Sequence, residues 1–147
     1  MAYKFSYQRI LDVRQIQEDQ KSSEVASAQN ELNNELDELS KLEAKKFSVL
    51  NDEEHLTDNT LELMRQNSYV NQVNENIEKQ RVRIEKKERN LNSKQDELLE
   101  ASKSRKIMDK LKKSDLEKYN IDQNRKEQNQ IDEIGANIAL KNRRNNS

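Results

Sequence analysis

The sequence contains no cysteine, no proline and a single glycine. Because it lacks cysteine, the chain can form neither a disulfide framework nor a thiolate metal site, which suits a reducing cytosol. Because it lacks proline and has one glycine, no residue forces a helix to end. Only 31% of the residues are hydrophobic against 37% charged, too few apolar side chains to line a globule of 147 residues. We therefore expect a chain that is elongated or unfolded.

The composition favours long helices over disorder. Disordered segments are usually rich in proline and glycine and carry an excess of one charge, whereas this chain has a net charge of −1 and is dominated by strong helix formers. No apolar run approaches the roughly 18 residues that span a bilayer, and no signal-peptide core stands at the N-terminus. The expected protein is soluble, cytoplasmic and helical.

Apolar residues recur at helical spacing in two separate runs. The first run has an eleven-residue period, typical of a nearly straight or slightly right-handed seam. Its positions are Val25, Ala28, Leu32, Leu36, Leu39, Glu43, Phe47 and Leu50. The second run has a seven-residue period, with Val70, Ile77, Ile84, Leu91 and Leu98 accompanied by the weaker positions Val73, Gln80, Lys87, Lys94 and Ala101. This second seam is typical of a thin coiled coil, so its helix needs a partner.

The segment NDEEHLTDNTLEL, residues 51 to 63, separates the two runs and predicts a reversal. Its TDNT stretch contains short polar side chains that mark turns and helix N-caps. We predict an all-α fold, a long two-helix antiparallel coiled-coil hairpin that forms a single domain over residues 1–147. Its parts are helix 1 at about 7–54, a turn at about 57–60, helix 2 at about 61–139 and a basic polar tail at 141–147. A domain-swapped dimer through the TDNT hinge is the competing arrangement.

Charge favours pairing of the two helices with each other. Residues 1–60 contain 7 Lys and Arg against 13 Asp and Glu, a net charge of −6, while residues 61–147 contain 20 against 15, a net charge of +5. Opposite charge disfavours pairing of helix 1 with another copy of itself. A reversal near residue 59 then places Tyr3 beside Asp115.

The same reversal leaves the end of helix 2 uncovered. Helix 1 has too few residues to reach beyond about residue 115, so the part from Lys118 onward has no internal partner. In that part an apolar stripe returns at helical spacing, formed by Ile131, Ile134 and Ile138. Such a stripe implies an external partner.

The N-terminal stretch YKFSYQRILDVRQIQE, residues 3–18, holds a large share of the aromatic side chains. Phe5 and Ile10 bracket Ser6 as a hydrophobic staple around a helix N-cap. The staple leaves three further residues unexplained, Tyr3, Tyr7 and Leu11. With both termini at one end of the hairpin, these residues either seal the open end of the coiled coil or form a docking surface.

No residue pattern predicts catalysis, a cofactor or a metal site. His55 is the only histidine, whereas a metal site needs several converging ligands, and Gly135 alone cannot form a phosphate-binding loop. The basic stretches 78–89 and 103–113 lack aromatic residues for base stacking, so we expect solvated helix faces and no nucleic-acid site. The second stretch has one acid, Asp109, against six basic residues, which suits an acidic partner. The expected protein is not an enzyme.

Two terminal elements resemble the FliJ family of flagellar type III export proteins. The first consists of an aromatic pair, an aliphatic pair and a basic residue ahead of a long helix: Phe5, Tyr7, Ile10, Leu11 and Arg14. The second, EQNQIDEIG, is similar to the family's Gln-x-x-x-Asp-Glu-aliphatic element, matched by Gln128, Asp132, Glu133 and Ile134. Length, the two-helix pattern and the polar middle agree over essentially the whole chain.

The resemblance implies a function that periodicity cannot show. FliJ-like proteins are antiparallel coiled coils similar to the γ stalk of rotary ATPases. The implied role is to couple the hexameric flagellar export ATPase to the membrane export gate protein and to escort export chaperones. The implied place is the cytoplasm at the flagellar base, with membrane association only through partners. The implied ring-facing residues are Phe5, Tyr7, Ile10, Leu11, Arg14, Asp132, Glu133 and Ile134.

Other interpretations share these features. Phe47 and Tyr69, which flank the reversal, are either seam residues or contacts for the gate or chaperones. A self-associating coiled-coil scaffold predicts a dimer in solution, whereas the stalk predicts a monomer. A prefoldin-like holdase predicts client protection that depends on residues near 47 and 69. The stalk protein of a virulence-type secretion system would show the same sequence features.

Overall fold

The protein is all-α, with two long helices paired as an antiparallel hairpin in a computed structural model that describes residues 2–51 and 60–146. Helix α1 is Gln8–Leu50 and helix α2 is Thr60–Asn145. Over these two ranges no residue is in a strand, and the fold class predicted from periodicity and composition is confirmed.

Helix α1 begins later than the predicted staple requires. The amide of Gln8 donates to the carbonyl oxygen of Phe5 at 3.2 Å, and the amide of Leu11 donates to that of Tyr7 at 3.0 Å. Tyr7 therefore occupies the N-cap position, which makes Ser6 and Leu11 the staple positions. The predicted staple of Phe5 and Ile10 is wrong because the helix starts one residue further along than an N-cap at Ser6 requires.

The inner ends of the helices differ from the predicted bounds. Helix α1 ends at Leu50, where the amide and the side-chain Nδ2 of Asn51 both donate to the Phe47 carbonyl oxygen, at 3.0 and 3.1 Å. The predicted continuation to 54, His55 and most of the predicted turn at 57–60 lie outside the described residues. Thr60, the last residue of that predicted turn, is the first residue of α2.

Helix α2 continues six residues beyond the predicted 139. Residues 141–145, predicted to lie in a polar tail, are helical. The sequence offers no proline there, and Arg143 and Arg144 in the last turn interact favourably with the negative end of the helix dipole. The polarity of the tail is therefore compatible with helix, and the predicted end was wrong because polarity alone does not stop a helix.

The chain divides into two compact units, called here the terminal unit and the central unit. The terminal unit is Met1–Ile16 with Ser102–Ser147, and the central unit is Gln17–Ala101. The two helices run antiparallel within each unit. The prediction of a single domain over residues 1–147 stays a prediction.

The central unit packs around a seam with a seven-residue repeat. Its buried centre contains Ala28 and Leu32 of α1 with Ile84 and Leu91 of α2, and Val25 and Leu39 pack against them. On α2 the buried residues are Val73, Ile77, Gln80, Ile84 and Leu91. This distribution confirms the heptads predicted for α2.

The eleven-residue period predicted for α1 is wrong beyond Leu32. Residues Leu36, Phe47 and Leu50 of that predicted stripe are exposed, by 40%, 70% and 57%. Leu39 of the predicted stripe is partly buried as expected, but the other partly buried residues there are Glu35, Leu42, Lys46 and Val49. Two helices that share one seam must share its repeat, so the heptads of α2 impose a seven-residue period on α1.

Polar seam residues of α2 meet acidic residues of α1 in the central unit. Gln80, which is buried, donates from Nε2 to the Glu35 backbone carbonyl at 2.8 Å and also to the Glu35 carboxylate. Three interhelical ion pairs lie further along the helices: Lys87 with Glu31 at 3.0 Å, Lys94 with Glu24 at 3.4 Å and Lys21 with Glu97 at 3.1 Å. The predicted charge complementarity is confirmed, and it specifies register more than stability because solvent screens each pair.

Candidate functional site

The N-terminal segment is fastened to α2 by polar and aromatic contacts. The Tyr3 hydroxyl donates to Asp115 Oδ2 at 2.9 Å, and the ring of Tyr3 packs on that of Tyr119 with centroids 5.3 Å apart. Lys112 Nζ donates to Gln8 Oε1 at 2.8 Å. The predicted proximity of Tyr3 and Asp115 is confirmed.

Tyr3 is held in its neutral, proton-donating form. Desolvation by the surrounding side chains is the main cause that raises the pKa of Tyr3 above 10.0, and the hydrogen bond to Asp115 and the charge of that carboxylate raise the pKa further. The contact between Tyr3 and Asp115 is therefore present throughout the neutral pH range.

The residues predicted for the N-terminal part of the site fall into two groups. Phe5 and Leu11 are buried, with 7% and 8% of their surface exposed, so they close the hairpin between α1 and α2. Tyr7 and Ile10 are exposed by 51% and 44%, and Arg14 is also exposed. The ring of Tyr7 meets the ring of Phe5 edge-on, with centroids 5.8 Å apart. Buried side chains that join the N-terminal residues to α2 therefore alternate along the sequence with exposed ones.

Helix α2 contributes exposed aliphatic side chains that sequence reasoning did not include in the site. Ile107 is exposed by 65% and Leu111 by 44%. On α1, Val13 is exposed by 51% and lies three residues from Ile10 on the same helix face. We call Ile10, Val13, Ile107 and Leu111 the aliphatic flank.

The aliphatic flank lies on one side of the helix pair. Three of its members directly precede residues of the buried or half-buried seam: Ile10 before Leu11, Ile107 before Met108 and Leu111 before Lys112. Moving back by one residue along an α-helix turns the direction of the side chain by about 100° about the helix axis, always in the same sense. Because the helices are antiparallel and face each other, equal rotations on the two helices turn both stripes toward the same side.

The C-terminal part of the predicted site lies apart from the N-terminal part. Asp132, Glu133 and Ile134 are exposed, and Asp132 Oδ1 accepts a hydrogen bond from Gln128 Nε2 at 3.0 Å within the same helix. Asp132 follows Asp115 by 17 residues on α2, which corresponds to about 25 Å along the helix. The structure therefore does not bring the two halves of the predicted site together.

The isoleucine stripe, Ile131, Ile134 and Ile138, forms a second exposed apolar surface in the terminal unit. The three side chains are exposed by 61%, 59% and 55%. The heptad positions that continue the seam past Tyr119 are mostly polar: Asp122, Lys126, Asn129 and Glu133. Ile134 follows one of these positions, whereas the members of the aliphatic flank precede theirs, so the stripe faces a different side of α2.

Phe47 and Tyr69 lie in the central unit, and both are exposed, by 70% and 42%. Neither is a seam residue, so the alternative that they belong to the seam is wrong. Leu61 and Met64 are exposed near Tyr69, by 58% and 63%, and line a shallow depression with it.

Across 2–51 and 60–146, no three histidine, cysteine, aspartate or glutamate side chains converge to hold a metal ion. Neither of the two described helices has a stretch long and apolar enough to cross a bilayer.

Comparison with known proteins identifies a family. The sequence profile of a family described as Flagellar FliJ protein matches residues 3–144, nearly the whole chain. No curated protein and no solved structure gives a significant match.

Proposed function

Because this chain belongs to the FliJ family, whose members are non-catalytic components of the flagellar protein export apparatus, we propose that it couples the hexameric export ATPase to the membrane export gate and escorts export chaperones. On this proposal it acts as a monomer in the cytoplasm at the flagellar base and reaches the membrane through its partners.

The pair of separate apolar surfaces in the terminal unit is the observation that supports contact with a ring. The aliphatic flank and the isoleucine stripe face different sides of α2, and the centres of the two surfaces, near residues 109 and 134, are separated by about 38 Å of helix. One flat partner surface cannot cover both. A ring that surrounds the helix can contact both at once.

Each predicted residue then has a role that follows from its exposure. Phe5 and Leu11 position the N-terminal segment on α2, whereas Tyr7 and Ile10 contact the ring. Asp132 and Glu133 flank the isoleucine stripe and orient the contact, while Ile134 contributes apolar area. Arg14 supplies a positive charge beside the flank.

The gate and the chaperones are assigned to the central unit. Phe47 and Tyr69 expose aromatic area there, and large exposed aromatic side chains are common in protein interfaces. Their alanine variants should reduce capture of an export chaperone while leaving the stimulation of the ATPase unchanged.

Stimulation of ATP hydrolysis tests the coupling. The protein should bind the cognate flagellar export ATPase and raise its hydrolysis rate. A variant with Ile131→Ser, Ile134→Ser and Ile138→Ser should lose most of the stimulation. A control with Asn129→Ser, Gln130→Ser and Asn137→Ser makes three serine changes on other faces of the same helix and should keep it. The absence of both binding and stimulation by the unchanged protein would refute the proposal.

Mass in solution tests the competing scaffold. The proposed stalk stays monomeric over a wide concentration range in light scattering, because its seam is satisfied within one chain. A concentration-dependent dimer that the three isoleucine substitutions abolish would show that the stripe binds a second copy of the chain, and the scaffold would replace the stalk.

A further inference from the structure

We infer that the aliphatic flank binds an acidic amphipathic helix of a partner protein. The inference rests on the proposed function, under which this helix belongs to a subunit of the export ATPase. It extends that function by assigning a determinant on α2, Ile107 and Leu111, and by specifying the chemistry of the surface that they contact.

The shape of the flank fits a helix. Ile10 and Val13 are exposed on α1, and Ile107 and Leu111 are exposed on α2. Because both pairs turn toward the same side of the helix pair, they flank the groove that two packed helices leave between them. A third helix packs into such a groove about 8–10 Å from each neighbour. It would present apolar residues at i, i+3 or i+4, and i+7.

The charge of the terminal unit fits an acidic partner. This unit contains 15 Lys and Arg against 8 Asp and Glu, a net charge of +7, whereas the central unit contains 12 against 20, a net charge of −8. The chain is almost neutral as a whole, so the excess of positive charge belongs to the unit that contains the aliphatic flank. A partner with an acidic edge is attracted to the terminal unit and repelled by the central unit.

The positive charge also lies on the correct side of the helix pair. Ile107, Leu111, Ser114 and Lys118 follow one another at intervals of four, three and four residues, so exposed Lys118 continues the stripe. Lys110, three residues after Ile107, lies beside it. A helix in the groove therefore meets lysine side chains at its edge.

Nearby acids lie on the opposite side. Asp12 follows the seam residue Leu11 and Asp109 follows Met108, so both are rotated away from the flank in the opposite sense. Each is also engaged locally, because Asp12 Oδ1 accepts from Gln8 Nε2 at 2.8 Å and Asp109 pairs with Arg105. These acids do not neutralise the groove.

An anionic bilayer shares part of this chemistry but fits the shape less well. A bilayer surface is flat and cannot fill the groove between two helices. The chain also has no tryptophan, which commonly anchors proteins at a bilayer interface. The concave aliphatic groove favours a protein helix.

Equilibrium titration of the full-length protein with the cognate export ATPase tests the inference. The variant Ile107→Ser with Leu111→Ser should raise Kd about tenfold or more, equivalent to about 1.4 kcal/mol. Both side chains are exposed, so helicity and melting temperature should not change. The control Ile16→Ser with Leu116→Ser removes two aliphatic groups outside the flank and should bind like the unchanged protein. A third variant, Lys110→Gln with Lys118→Gln, should bind with a weaker dependence on salt concentration.

The outcomes separate the inference from the proposed function. If the unchanged protein does not bind the ATPase, the proposed function fails. If it binds and the Ile107 and Leu111 variant binds equally tightly, the inference fails and the proposed function stands. Sedimentation with phosphatidylglycerol and phosphatidylcholine vesicles tests the membrane alternative. If the unchanged protein sediments with phosphatidylglycerol alone, and the Ile107 and Leu111 variant loses this sedimentation but still binds the ATPase, a membrane occupies the flank and the inference is overturned.

Discussion

The central and terminal units are built from the same two helices but use their polar residues differently. In the central unit, lysine residues of the seam pair with glutamates that lie beside the seam on the opposite helix, as Lys87 does with Glu31. In the terminal unit, the N-terminal residues contact α2 through a tyrosine hydroxyl that donates to Asp115, a lysine of α2 that donates to Gln8, and a pair of tyrosine rings. The central unit uses part of its charge to join its two helices, while the terminal unit has a net positive charge and exposed aliphatic side chains.

This difference shows how a chain with few apolar residues can combine a stable hairpin with a binding surface. The central seam buries a small cluster of apolar residues, and ion pairs join the two helices at other positions along it. The register of the helices is therefore defined without a large core. Among the residues of the terminal unit that the structure describes, the buried apolar side chains are Phe5 and Leu11. Its remaining aliphatic residues are therefore available to partners.

The largest effect should come from breaking the central seam. Leu32→Ala removes a side chain packed against Ala28, Ile84 and Leu91, and should lower the free energy of unfolding by about 2–5 kcal/mol. Leu36→Ala, four residues along α1, should change it by no more than about 0.5 kcal/mol because Leu36 is exposed. Urea denaturation measures both. Equal losses of unfolding free energy for the two variants would support the eleven-residue period on α1 and contradict the seven-residue period.

The same pair of leucines shows what sequence periodicity can and cannot predict. The heptads of α2 are visible because Ile77, Ile84 and Leu91 repeat without interruption. On α1 the true seam passes through Glu35 and Lys46, whose polarity hides it, while exposed Leu36 and Phe47 suggest another line. A glutamate in the seam is explained by its hydrogen bond with Gln80 of the other helix. That contact depends on the register between two segments 45 residues apart, which sequence periodicity does not give.

The candidate site was predictable to a similar extent. Sequence motifs identify Tyr7 and Ile10, because the N-terminal aromatic and aliphatic pairs stand out in a polar chain. They do not identify Ile107 and Leu111, which lie about a hundred residues away in a lysine-rich stretch and join Ile10 only through antiparallel pairing. A usable signal was present, since each isoleucine or leucine of the flank directly precedes a residue of the seam.

A smaller effect should follow from removing one interhelical ion pair of the central unit. The hydrogen bond from Lys21 is the main cause that lowers the pKa of Glu97 below 4.5, and the hydrogen bond to Glu97 is the main cause that raises the pKa of Lys21 above 10.5. The stability from Glu97 is therefore present above pH 4.5 and lost as the pH falls through its lowered pKa. The stability from Lys21 is present below pH 10.5 and lost as the pH rises through its raised pKa.

The variant Glu97→Gln should consequently be less stable than the unchanged protein at neutral pH and equally stable once the pH is well below the lowered pKa of Glu97. The difference should shrink between about 50 mM and about 500 mM NaCl, because salt screens exposed charges. Urea midpoints across this range of pH and salt measure both trends. As a control, Glu85→Gln changes a carboxylate that pairs within α2 only, with Arg89 at 3.7 Å, and should show a weaker pH dependence. A difference between Glu97→Gln and the unchanged protein that persists at low pH would show that the glutamate acts through packing.

The smallest effect should come from the hydroxyl that joins Tyr3 to Asp115. Because the raised pKa of Tyr3 favours the neutral form, this contact contributes stability below pH 10.0 and is lost as the pH rises through the raised pKa, when tyrosinate and carboxylate repel. Tyr3→Phe keeps a ring to pack on Tyr119 and should remove this alkaline loss. Asp115→Asn should lower the pKa of Tyr3 only part of the way toward 10.0, because desolvation, the larger cause, remains. Tyrosinate absorbance compared between each variant and the unchanged protein measures the shift. If the pKa of Tyr3 reached 10.0 in Asp115→Asn, the carboxylate alone would cause the shift, and the packing of the N-terminal segment on α2 would be looser than the structure shows.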